Sequence, residues 1–237
     1  MSSVPQTLIH LERSFLTQRR GMALLAALFP IAFLMSSVVL HRTEFQTSIS
    51  AYYWTHDLER NFFVGALCAI GIFLLLYKGY NWKEDRVLDA AGISAAGIAF
   101  FPMSRLGDCA ASGVSPHGVF AVTFFACVFY VCIFMSEKSL KLIEDTRRQA
   151  RFRSAYRWCS GIMVGSIVVA TASRFLPGEL VQTLCERNAI FWFEAVGVWA
   201  FAAFWYLKTR ELDAEASWVP FSRKQHPRAD AGPARSA

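Results

Sequence analysis

The 237 residues are 54% hydrophobic and 15% aromatic, with a mean hydropathy of +0.33, a composition that fits lipid-facing surfaces and leaves room for one domain only. A net charge of +6 and a pI near 9.1 would raise nucleic acid as a partner of a soluble protein. Here the Lys and Arg flank apolar stretches, so anionic lipid headgroups at the inner membrane face are the simpler counter-charge, and nucleic acid is excluded as a partner.

In chain order, residues 1–20 place Leu8, Leu11, Phe15 and Leu16 on one helical face, which predicts an amphipathic cytoplasmic segment lying along the interface before the chain turns into the bilayer. Six apolar stretches follow, at about 21–40, 62–78, 88–103, 117–135, 157–175 and 189–207. Each approaches the ~20 residues that a helix rising ~1.5 Å per residue needs to cross a ~30 Å hydrocarbon core, so helices rather than barrel strands are the spanning elements. The expected fold is therefore all-α: a polytopic membrane protein with six transmembrane helices in one bundle. The first stretch is too long for a signal-peptide core and has no small-residue cleavage site before His41 and Arg42, so it reads as a retained helix. Asp89 is expected to cap the third helix, and Gly92 with Ala96 and Gly161 with Gly165 to pack helices within the chain. Residues 208–237, rich in Ala, Pro, Arg and Ser and without periodicity, read as a disordered cytoplasmic tail.

Charge fixes the expected orientation. With the N-terminus inside, only Arg42, Arg60, Arg105, Arg174 and Arg187 of the 24 Lys and Arg fall outside, which predicts a multi-pass protein of the bacterial inner membrane with both termini cytoplasmic. Cys109 and Cys185 then share the oxidising side and form the candidate disulfide, whereas Cys68, Cys127, Cys132 and Cys159 lie inside helices as small apolar groups.

An ionisable group inside a span costs several kcal/mol unless paired, neutralised or hydrated. Glu194 is the clearest case, about 8–9 Å below the outer interface at ~1.5 Å per residue. Ser50, Tyr52, Tyr53, Arg60, Asn61, His117 and Arg174 are expected in the same leaflet, and together they predict a shallow, outward-facing polar pocket. Arg174, His117 or Arg60 is the expected partner of Glu194. The tyrosines also suit an aromatic belt, Arg174 a snorkelling side chain, and His117 the start of a helix. No HExxH, HxxxH, GxSxG or Walker pattern occurs, and no cofactor or metal is expected.

The runs SISAYYWTHDLERNFFVG through YKGY (Ser48–Tyr80), EDRVLDAAGISAAGIAFFP (Glu84–Pro102), HGVFAVTFFACVFY (His117–Tyr130) and FWFEAVGVWAFAAFWYLK (Phe191–Lys208) resemble a widespread group of bacterial six-span integral membrane proteins of unassigned activity. The layout is more distantly similar to membrane proteins of the FRAG/DRAM/Sfk type, linked to lipid handling and membrane signalling. The ceramidase-like transmembrane hydrolases are a further comparison, but the paired histidines of their last helix are missing here. The resemblance to the bacterial group singles out Ser50, Tyr52, Tyr53, Arg60, Asn61, His117 and Glu194. The resulting expectation is a membrane protein binding a lipid headgroup or small amphiphile. A lipid-modifying intramembrane hydrolase using His117 and Glu194 is the first alternative, and a transporter subunit the second.

Overall fold

A computed structural model describes residues 6–79, 81–104, 114–141, 143 and 145–216; these are overwhelmingly helical and contain no strand. Eight α-helices occur among them: α1 (Gln6–Leu34), α2 (Asp57–Leu76), α3 (Trp82–Phe100), α4 (Pro116–Tyr130), α5 (Ser136–Leu140), α6 (Thr146–Ala172), α7 (Gly178–Glu186) and α8 (Ala189–Ala216). One π turn (Met35–Val39) extends α1 and another (Val131–Met135) links α4 to α5. Five segments are long and apolar enough to cross a membrane: Leu16–Val39, Asp57–Leu76, Pro116–Phe134, Thr146–Ala172 and Ala189–Glu211. The sixth expected span is α3, which is 19 residues long. Lys83, Glu84, Asp85, Arg86 and Asp89 crowd its first half and shorten its apolar run.

The long helices close a ring. Each packs on the next, α1 on α2, α2 on α3, α3 on α4, α4 on α6 and α6 on α8, and α8 returns to α1. The centre is aromatic, with Phe33, Tyr52, Phe63, Phe191, Phe201, Phe204 and Trp205 all buried. Their rings meet at centroid distances such as 4.6 Å for Phe33 and Tyr52 and 5.3 Å for Phe204 and Trp205, within the range where aromatic pairs add to area burial. Leu24, Ile72, Ile93, Val168 and Tyr206 point outward and are exposed, the surface an apolar solvent requires.

Where α2 crosses α3 the backbones touch. A Cβ on Gly92 would lie 2.7 Å from the Gly71 carbonyl oxygen, and one on Gly71 would lie 2.8 Å from that of Gly92. Gly92 therefore packs as expected. Gly161 and Gly165 do not: each faces outward with nothing within 4 Å of an added Cβ. Three further expectations are corrected. The helix α1 is continuous from Gln6, so the amphipathic segment leads into the span without a turn. The cap of α3 is Asn81, whose side chain accepts the backbone N–H groups of Lys83 and Glu84 at 3.1 and 3.3 Å, and Asp89 lies inside the helix. The last helix runs on to Ala216, so residues 208–216 are helical, and residues 217–237 of the expected tail lie outside the described residues.

At the end of the bundle where α1 begins and α8 finishes, a polar knot is sealed from the surface. Arg19, Glu84, Lys208 and Glu211 are all buried. Lys208 Nζ donates to Glu211 Oε2 at 3.0 Å and to Ser139 Oγ, and Tyr156 donates its hydroxyl to the same carboxylate oxygen. The Arg19 guanidinium donates to the Lys208 carbonyl at 3.1 Å and to the Tyr77 hydroxyl, and sits 5.0 Å over the Tyr77 ring. These bonds join α1, α5, α6 and α8 to the turn that follows α2.

Candidate functional site

The opposite end is covered by the first connection, residues 40–56, which folds down onto the ring. Ring stacking and hydrogen bonds hold it to α8: Phe45 packs 4.7 Å from Phe191, and the Phe191 N–H donates to the Thr47 carbonyl at 2.8 Å. The Trp54 indole N–H donates to the Met103 carbonyl at 2.9 Å, tying the connection to the chain just after α3. Within it, residues 50–54 form one 3-10 turn that presents Ser50 inward.

Beneath this cover lies a cavity of about 370 Å³. Its walls are apolar, contributed by residues such as Leu67 and Ile70 of α2, Phe124 of α4 and Val198 and Phe201 of α8. Val114, Val119, Val122 and Phe175 line it and are also exposed, so the cavity reaches the outer surface of the bundle between α4 and α6. Its polar end is formed by Ser50, His117 and Glu194.

Each of the three is positioned by local structure. Ser115 caps α4, accepting the Gly118 N–H at 3.1 Å, and Pro116 suits the first turn because its missing N–H and fixed φ cost nothing there. His117 is thereby held in the first turn of α4 and buried. Its Nδ1 lies 3.0 Å from the Phe101 carbonyl oxygen and its Nε2 lies 3.0 Å from Ser50 Oγ. Glu194, one turn into α8, accepts the Ile49 N–H at 2.6 Å through Oε2. The carboxylate thus holds the residue just before Ser50, a charge-assisted bond to backbone of the strong, short kind.

The remaining expected residues are elsewhere. Tyr52, within the first connection, is fully buried, its hydroxyl 2.5 Å from Ser37 Oγ, and burial pushes its phenol above the usual range. Tyr53 packs edge-on against Trp54 at 4.9 Å and does not line the cavity. Arg60 pairs with Asp57 three residues back on the surface of α2, and Asn61 is exposed. The helical phase explains both, since α2 turns these two positions away from the ring. Neither reaches Glu194. The backbone of Arg174 lies in the 3-10 turn Ser173–Phe175 that ends α6, and its side chain lies outside the described residues. Cys185 is buried on α7 and disulfide-bonded, whereas its expected partner Cys109 lies outside the described residues; Cys68, Cys127, Cys132 and Cys159 are free thiols.

Sequence reasoning passes over Glu59, which is buried and accepts the Ser36 hydroxyl, with Arg42 Nε 3.6 Å away. The π turn at Met35–Val39 turns both Ser36 and Ser37 inward, towards Glu59 and Tyr52. The signal was present: Glu59 stands one residue before Arg60 and so faces a different side of α2. Among the described residues no three His, Cys, Asp or Glu side chains gather closely enough to hold a metal ion. No family model, curated protein or solved structure matches the chain.

Proposed function

We propose that this chain is a six-span protein of the bacterial inner membrane, allied to the bacterial group it resembles, with both ends cytoplasmic, and that it holds a lipid or similar amphiphile in the cavity beneath its first connection. The observation that carries this reading is the cavity itself: mostly apolar in its lining, with Ser50, His117 and Glu194 among its polar groups, and open towards the surface that lipid would cover. Its volume falls within the ~300–1,000 Å³ typical of ligand sites. A chain moving from bilayer to cavity exchanges one apolar surrounding for another, so hydrophobic burial contributes little. Selection falls to Ser50, His117 and Glu194, the polar groups a headgroup would meet, and a buried headgroup atom that finds no partner among them costs about 1–3 kcal/mol.

Protein reconstituted in phosphatidylethanolamine and phosphatidylglycerol vesicles containing a photoactivatable diacyl phospholipid should cross-link at peptides of α4 and α6. Ala121→Trp, which fills the cavity, should abolish that cross-link while leaving folding intact; equal cross-linking by both proteins would rule the pocket out. Glu194→Gln keeps an acceptor for the Ile49 N–H and should fold normally with altered lipid retention, whereas Glu194→Leu orphans that donor and should lower stability by about 1–3 kcal/mol.

Topology is tested separately. The charge bias places reporters fused after Ala216 in the cytoplasm and reporters inserted within residues 105–113 outside. Periplasmic activity of the Ala216 fusion would overturn the six-span topology with both ends cytoplasmic.

A further inference from the structure

We infer that Ser50 and His117 are a nucleophile and base, and that the cavity delivers to them the ester carbonyl of an acylated lipid. The inference rests on the binding reading above and adds chemistry to it.

The tautomer follows from the partners. The Phe101 carbonyl can only accept, so Nδ1 of His117 carries the proton and donates to it at 3.0 Å. In the neutral ring Nε2 is then a lone pair, and the Ser50 hydroxyl 3.0 Å away donates to it. This is the arrangement that activates a serine: base within reach of the nucleophile, and the base itself oriented by a third group. A purely structural tie between the first connection and α4 would be packed around on all sides. Here both side chains instead face open volume, at the polar end of an apolar chamber. Glu194 is a positioning residue. It grips the Ile49 N–H at 2.6 Å, and so fixes the turn that carries Ser50.

The reaction balances without a metal or redox partner. Ser50 Oγ bonds to the carbonyl carbon as its proton passes to His117 Nε2. The tetrahedral adduct collapses, the bond to the lipid alcohol oxygen breaks, and that oxygen takes the proton from Nε2. The acyl-serine is then resolved by water or by a second lipid alcohol, whose proton returns through Nε2 to Ser50 as the acyl–Oγ bond breaks.

The test uses the full chain in phospholipid–detergent micelles with hexadecyl fluorophosphonate. Attack by Ser50 forms an Oγ–P bond and expels fluoride, adding one phosphonyl mass that peptide mapping should place on Ser50. Ser50→Ala should take up none, and His117→Gln should react about 10²–10⁴-fold more slowly, the usual contribution of a general base. Non-reactive hexadecyl phosphonate, followed by native mass spectrometry, separates the two readings. Retention without any adduct at Ser50 in the wild type overturns the nucleophile and leaves the binding site standing, while neither retention nor adduct removes both. Labelling of His117→Gln at the wild-type rate also overturns the pair. The wild-type mapping decides the matter even if a variant fails to fold.

Discussion

Replacing Glu211 by Leu is expected to destabilise the protein by about 3–5 kcal/mol, because the buried ammonium of Lys208 loses the carboxylate to which it donates at 3.0 Å. Lys208 and Glu211 are 2% and 1% exposed, so water cannot take over for the missing partner. For a chain of this size that cost corresponds to a drop of roughly 6–20 °C in Tm. Lys208→Met should cost a similar amount by stranding the carboxylate, against which Tyr156 still donates. The double variant Lys208→Met/Glu211→Leu removes both charges at once, and its loss should be well below the sum of the two singles. Thermal unfolding of all four proteins in one detergent measures this, and additive losses would show that the two side chains do not act as a pair.

Gly92→Val should cost about 1–3 kcal/mol, since the new side chain meets the Gly71 carbonyl at 2.7 Å and backbone cannot step aside as a side chain can. The helices must separate. Once they have, Gly71→Val should add less than it costs alone, because the two residues share one contact. Gly161→Ala is the control: nothing lies within 4 Å of its added methyl group, so only helix propensity changes, and stability should hold or rise by up to about 1 kcal/mol. Equal effects at Gly92 and Gly161 would mean that helix propensity, not the α2–α3 contact, sets the result.

The apolar stretches were legible because a ~20-residue apolar run has few other uses, and their outer ends also indicated which polar groups would share one end of the bundle. Ser50, His117 and Glu194 do meet there. What the pattern could not resolve was helical phase. Arg60 and Asn61 sit at the right depth but on the wrong side of α2, while Glu59 beside them points in. Tyr52 was compatible with a headgroup belt until the π turn supplied Ser37 as its buried partner. Lys208 and Glu211 fall in the expected disordered tail because the last apolar run ends at Leu207. Their three-residue spacing on a helix was the available sign that they pair with each other.

The closed ring of helices also orders the protein's birth. As the chain leaves the ribosome, every long helix can dock on the one made just before it, contacts that are local and fast to find. The last of them, α8, must do something different: it seals the circle against α1 and at the same time supplies Phe191 and Glu194, which pull the first connection into place from 145 residues away. Until that helix arrives, the turn bearing Ser50 keeps its ties to Ser37, Met103 and His117 but lacks the bond that fixes Ile49. A nascent chain without α8 would therefore lack the grip on Ile49, and the proposed Ser50–His117 pair would reach its final geometry only once α8 has docked.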